Sequence, residues 1–153
     1  MRSFQVEIVT PDGLAYSGEV ESLLLRTTEG DVEILAGHAD YMAALGIGRV
    51  RMIVGGEKRL ASAQGGFISV HGGAVQMVAT TFEFKDDIDL ERARRAKEAA
   101  EAALREAKSK SDIALAEAKL KRALNRISVA EYKYRNCQNS GSRHRCLPYS
   151  IPA

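Results

Sequence analysis

Tryptophan is absent from this chain, and proline, cysteine and histidine are scarce: three, two and three residues respectively. The cysteines, Cys137 and Cys146, both fall near the C-terminus, so no disulfide framework runs through the fold. No apolar run approaches the roughly 18 residues needed to cross a bilayer. The opening Met1-Arg2-Ser3-Phe4 is neither a secretory signal nor an Arg- and Ser-rich transit segment. The expectation is a protein that stays where it is made, in a cytosol-like compartment, with no direct membrane insertion. A strong charge of one sign is also missing. A net charge of +2 lacks the concentrated basic face of a nucleic-acid binder, so no nucleic-acid partner is expected.

Catalytic signatures are missing as well. There is no GxSxG elbow and no HExxH pair. Gly55-Gly56-Glu57-Lys58 lacks the spacing of a phosphate loop and leads into no helix, so it reads as a hairpin turn. The histidines are scattered. His71 sits at a hairpin tip and reads as solvated, while His38 follows Gly37 in a loop and is either an interface residue or an ordinary loop histidine. Cys137, His144 and Cys146 are too few to make a zinc site. The expected catalytic and metal residues are therefore none. A small-molecule enzyme on a β-sandwich would need a nucleophile beside a base, and the sequence offers no such pair.

What the chain does contain changes character near Lys85. Every glycine except Gly141 precedes that residue, and alanine with charged helix formers dominates from Asp89 to Arg135. The first unit reads as strands. Phe4, Val6 and Ile8 alternate with polar residues, the period of a half-buried strand. Pro11-Asp12-Gly13 is a turn, since Pro presets φ and Gly accepts a positive one. Val20 to Thr27 reads as a strand, and Glu29-Gly30-Asp31 turns into Val32-Glu33-Ile34-Leu35. Val50–Val54 and Lys58–Ala63 flank Gly55-Gly56; Phe67–Val70 and Val75–Thr81 flank His71-Gly72-Gly73. Both are hairpin patterns. Short strands punctuated by glycine predict an antiparallel β-sandwich over residues 1–85.

The second unit, residues 86–135, predicts an antiparallel α-helical hairpin, making the chain α+β. Asp89 is a natural N-cap. Ala93, Ala96, Ala100, Ala103, Leu104 and Ala107 recur at helical spacing. Lys108 to Asp112 breaks the pattern, and Ile113, Ala116, Leu120, Ala123, Ile127 and Ala130 form a second stripe. Alanine seams bury little area at roughly 25 cal/mol per Å², so the hairpin is expected to be weakly held and able to leave its docking surface. Residues 136–153 are polar and aperiodic, and are expected to be disordered.

Two charged clusters stand out. Glu83, Asp86, Asp87, Asp89 and Glu91 form either a carboxylate site or a linker whose charge favours a helix N-terminus. Arg122 and Arg126 share one face of the second helix. An antiparallel hairpin brings them toward Arg92, with Asp89 close by. Guanidiniums converging without matching carboxylates make a phosphate site; the alternative is a solvated basic face.

Several segments, in order and spacing, resemble the epsilon-subunit family of F-type ATP synthases of the bacterial type. Thr10-Pro11-Asp12-Gly13 is similar to the family's opening turn. The stretch from Glu29 to His38 resembles its G-E-L-G-I-L-P-G-H pattern, and Gly65-Gly66-Phe67 its G-G-F. Ile88-Asp89-Leu90-Glu91-Arg92-Ala93 matches its I-D-x-x-R-A motif, and Arg122-Ala123-Leu124-Asn125-Arg126 resembles R-A-x-N-R. The resemblance implies a non-catalytic place on the central rotor, with the sandwich holding the gamma subunit. It implies that Thr28, Glu29, Gly30, Asp31, Val32 and Glu33 face the membrane ring, and that His38 has an interface role. The helices would regulate hydrolysis, permitting it when folded down and inhibiting it when extended toward the catalytic headpiece. No cofactor is obligatory; a regulatory ATP would be held by Glu83, Ile88, Asp89, Arg92, Ala93, Arg122 and Arg126. The location implied is peripheral, at the cytoplasmic face of the bacterial plasma membrane. Departures are Ala99, where some members carry a further arginine, and Glu33, Ala36 and Asp40 in place of Gly, Pro and Pro. The competing reading is a purely structural coupling subunit with a permanently docked hairpin.

Overall fold

The computed structural model describes residues 2–132; the expected tail and the Cys137, His144 and Cys146 cluster lie outside the described residues. Eight strands come first: β1 Phe4–Thr10, β2 Gly13–Val20, β3 Ser22–Thr27, β4 Gly30–Leu35, β5 Tyr41–Ala44, β6 Ile47–Val54, β7 Glu57–His71 and β8 Ala74–Phe84. A single 3-10 turn, Lys85–Asp87, leads to helices α1 Leu90–Glu106 and α2 Lys110–Ala130. The strand order is β2-β1-β8-β7-β6-β3-β4, with β5 also paired to β7. Alternate side chains from the strands fill one core around Val6, Ile8, Leu23, Leu25, Ile34, Met52, Ile68 and Met77, all fully buried. This is the β-sandwich and helical hairpin expected from the residue pattern.

Three details differ from that expectation. First, β1 runs parallel to β8, from Val6 opposite Val75 to Val9 opposite Val78; the other strand pairs are antiparallel. Second, β2 carries no clear hydrophobic period because it is an edge strand, mostly exposed until Val20. The strand anticipated from Val20 to Thr27 is its last residue, a corner at Glu21, and β3. Third, the strands anticipated at Lys58–Ala63 and Phe67–Val70 are one continuous β7. Residues up to Gln64 pair with β6, and those from Phe67 pair with β5. The change of partner falls at Gly65 and Gly66, which have φ of +65° and +101°. A Cβ on Gly66 would lie 1.8 Å from the Val78 carbonyl oxygen, so glycine is the residue that lets the strand bend there.

Asp89 caps α1, its Oδ1 accepting from the Arg92 N–H at 3.1 Å. Ser109 caps α2 by accepting from the Asp112 N–H at 3.2 Å, and returns its own hydroxyl proton to the Asp112 carboxylate at 2.7 Å. With Ser109 as the cap, α2 starts at Lys110 and the connection is shorter than the Lys108–Asp112 break implied. The buried seam is also narrower. Ala93 and Ala100 on α1, and Ala116, Ala123 and Val129 on α2, are buried, while Ala96, Ala103 and Ile113 are exposed. A helix with one helical neighbour needs one stripe, and here it repeats every seven residues from Ala93 to Ala100 and from Ala116 to Ala123. The α2 helix packs on β6 and β7, and α1 packs on α2.

Candidate functional site

Three surfaces carry side chains of interest. The first is the base of the hairpin. Arg126, near the end of α2, brings its Nε to 2.8 Å from Glu83 Oε2 on β8, with both side chains about one third exposed. The N–H is not aimed along the hydrogen-bond direction, so the contact is coulombic. Around it, Ile88 is half-buried and donates its N–H to Lys85 O at 3.3 Å. Asp89 occupies its oxygen in the cap, and Ala93 is buried against α2. Arg94 reaches Glu131 at 2.9 Å, which sets the first turn of α1 beside the last turn of α2, as an antiparallel hairpin requires.

Arg92 and Arg122 are exposed, and their side chains form no ion pair or hydrogen bond among the described residues. Arg122 contributes instead through its carbonyl, which accepts from Gln64 Nε2 at 3.5 Å. The structure therefore joins Glu83 with Arg126, and Asp89 with Arg92 and Ala93 in one helical turn. One premise of the sequence argument changes: Arg126 does have a matching carboxylate.

Sequence reasoning passed over the polar floor under α2. Asn125 donates from Nδ2 to Gly48 O at 3.0 Å and to Ser62 Oγ at 2.9 Å. Ser62 and Gln64 are buried polar residues between Ala61 and Gly65 on β7. The available signal was a hydroxyl and an amide alternating with alanines in a strand that is not at the sheet edge. At the last turn, Tyr132 lies under the Arg49 guanidinium, 4.8 Å from its ring centre, and its carbonyl accepts from Lys85 Nζ.

The second surface is the β3–β4 turn. Thr28 and Glu29 form its exposed tip. Thr27 Oγ1 donates to Gly30 O at 2.8 Å and accepts from the Glu29 N–H at 3.2 Å, while Gly30 supplies φ +135°. Asp31 takes a forked pair of bonds from Arg26 at 2.7 and 3.0 Å, and this partner holds its carboxyl below the usual aspartate range. Glu33 accepts from Ser22 Oγ at 2.6 Å and meets Arg51 at 3.2 Å. Val32 packs against the core. His38 sets its ring edge against Tyr41, 5.8 Å between centres.

Asp40 accepts from the Gly72 N–H at 3.1 Å and faces His71 Nδ1 at 2.9 Å; the backbone bond first, then the imidazole, lowers its pKa. His71 is exposed, yet it has a partner rather than solvent alone. Two of the departures noted in the sequence, Glu33 and Asp40, thus serve contacts within the chain.

The third surface was not anticipated. Register places Ala44 beside Phe67, Phe67 beside Val78, Val78 beside Val9, and Val9 beside Leu14. The result is an apolar row across five strands on the outer face of the sheet. Phe67, Val78 and Leu14 are 43%, 36% and 62% exposed, and Met42, two residues from Ala44, is 70% exposed. Contiguous exposed apolar side chains of this kind are the ones on which partners dock. Among the described residues no group of His, Cys, Asp and Glu is placed to hold a metal ion, and no helix is long and apolar enough to cross a membrane.

A β-sandwich with an apolar outer row, followed by a helical hairpin docked on a polar floor, defines a two-part sandwich-and-hairpin class of protein. The chain belongs to the ATP synthase delta/epsilon chain family. The family's beta-sandwich domain matches residues 3–85 and its long alpha-helix domain residues 86–131. An ATP synthase epsilon chain of Bacillus pumilus is 43% identical over 130 residues, 85% of this chain and 98% of that one. The corresponding protein of Halalkalibacterium halodurans is 42% identical over 131 residues, with the same coverage. Among solved structures, a chain of the Euglena gracilis mitochondrial ATP synthase (OSCP, F1 and c-ring) superposes with a TM-score of 0.71 at 24% identity, covering 80% of this chain and 78% of that one. A chain of the Tetrahymena thermophila central stalk and c-ring does so with 0.62 at 12% identity, covering 84% and 97%. These two likenesses show the shared fold.

Proposed function

We propose that this protein is a central-stalk subunit of a proton-translocating F-type ATP synthase, in which the sandwich grips the gamma subunit and the β3–β4 turn meets the membrane ring. The observation that carries the reading is the apolar row Ala44, Phe67, Val78, Val9 and Leu14, joined to family membership. A rotor subunit must hold its neighbour under load, and a flat apolar sheet face with a hydrogen-bonded backbone does so without side-chain rearrangement. Thr28, Glu29 and Gly30 are the parts of the turn left free for a polar partner, because Asp31 and Glu33 are held by Arg26, Ser22 and Arg51. The protein works peripherally at the cytoplasmic face of the bacterial plasma membrane, without entering it.

The test is assembly. Phe67→Glu with Val78→Glu places two carboxylates on an exposed row, where the fold tolerates them, and the expected result is loss of co-purification with gamma. Retained assembly at normal yield overturns the assignment of this face.

The regulatory part of the reading is that the hairpin leaves its floor and extends toward the catalytic headpiece, and that ATP favours the compact state. It is supported by the polar character of the floor. Ser62, Gln64, Gly48 O and Glu83 rehydrate when α2 lifts, which offsets part of the cost of exposing the buried Val129. ATP would act by differential affinity for the compact state, through Arg92 and Arg122, whose charges are unmatched. A structural subunit with a fixed hairpin is the second reading. It is favoured by the Glu83–Arg126 pair and the Asn125 bonds, which hold the hairpin without a ligand. Calorimetry with ATP on the isolated protein separates the two. Heat that falls more in Arg92→Ala than in Arg105→Ala supports the nucleotide site; no heat from folded protein removes it and leaves the stalk role standing.

A further inference from the structure

We propose that Asn125 is the register pin of the hairpin, the positioning residue that fixes where α2 docks on the sheet. The buried residues of the hairpin are Ala93 and Ala100 on α1 and Ala116, Ala123 and Val129 on α2, so four of the five are alanines in pairs spaced by seven. Alanines spaced by seven pack almost as well after a slip of seven residues, two turns, so they supply contact with little position. A single polar group with a fixed partner breaks that degeneracy, as a buried amide does in a coiled coil.

Asn125 is the only amide side chain in α2. Its Nδ2 carries two protons, and both are used: one toward Gly48 O on β6, the other toward Ser62 Oγ on β7. The two acceptors lie on neighbouring strands, so the fork defines position both along and across the sheet. Gly48 and Ser62 are buried in the docked state. A slip of seven residues toward either end would bring Ala118, or Tyr132 just past the end of α2, to this place. Alanine would leave Ser62 Oγ and Gly48 O without their donor, which is the costly direction for buried polar groups, and a phenol has one proton and cannot fork to both.

The pin makes the compact hairpin specific in the absence of any nucleotide, so it stands or falls independently of the ATP site. Hydrogen exchange of the full-length, ligand-free protein tests it. Alanine is a better helix former than asparagine, so helix propensity alone predicts slower exchange of α2 amides in Asn125→Ala. The pin predicts the opposite: α2 amides exchanging about tenfold faster, the effect of one to two neutral hydrogen bonds, with strand amides unchanged. Ser62→Ala is expected to move α2 exchange in the same direction. In the double variant it adds less than twofold to Asn125→Ala, because the shared bond is already gone. Unchanged or slower α2 exchange in Asn125→Ala overturns the proposal, as does full additivity of the two substitutions. Leu124→Ala, at the exposed neighbouring position, serves as the control and leaves docking intact.

Discussion

Gly66 carries a constraint that no side chain can meet. Its φ is +101°, and an added Cβ would lie 1.8 Å from Val78 O. Gly66→Ala is expected to cost roughly 2–4 kcal/mol, through a strained left-handed backbone together with a clash that moves β8. Chemical denaturation of the isolated protein measures it; Gly56→Ala, in open space at a turn, shows the smaller cost of backbone strain alone. At the same scale, Asp31 and Asp40 have carboxyls lowered by Arg26 and by Gly72 with His71. A lowered folded-state pKa stabilises above the unfolded value of about 4 and loses that contribution as pH falls through the folded value. Both carboxyls should therefore titrate below about pH 4 by NMR, and Asp31→Asn should flatten the acid limb of the stability curve in that range. An Asp31 titration at or above the usual value would mean that the Arg26 fork does not persist in solution.

Elements were legible where a side-chain period coincided with burial on one side. The β1 alternation of Phe4, Val6 and Ile8 is an example, as is Asp89 at the start of α1. The edge strand β2 was not legible, because a strand with one free edge and few buried residues leaves no period. The width of the helix seam was not legible either: alanine is equally at home on both faces of a helix, so Ala96 and Ala103 mimic the stripe that Ala93 and Ala100 form. The buried seam gives an element-scale prediction. Ala123 is 1% exposed, and Ala123→Leu overfills a contact with no room for three more carbons. The expected cost is about 1–3 kcal/mol, borne by the hairpin. Helix-specific circular dichroism should melt earlier while strand amides stay protected. A single unshifted transition would show that hairpin and sheet unfold together.

At the scale of the whole molecule, the candidate nucleotide residues were proposed from the family resemblance alone, and the composite surfaces left no local signal. The row from Ala44 to Leu14 exists only after five strands are in register, and its members lie in separate parts of the chain. The floor under α2 is similarly composite, drawing Gly48 from β6, Ser62 and Gln64 from β7, and Glu83 from β8. Long-range pairing creates both surfaces, and one sequence read locally holds no record of it.

The strand that changes partners has a mechanical consequence. Phe67, in the apolar row, and Ser62, on the hairpin floor, lie on the same β7, at most about 17 Å apart along the backbone at 3.3–3.4 Å per residue. Between them stands the Gly65–Gly66 bend. A pull on the outer face would travel along covalent bonds toward the helix seat, and the flexural stiffness of this two-glycine joint would set how much of it arrives.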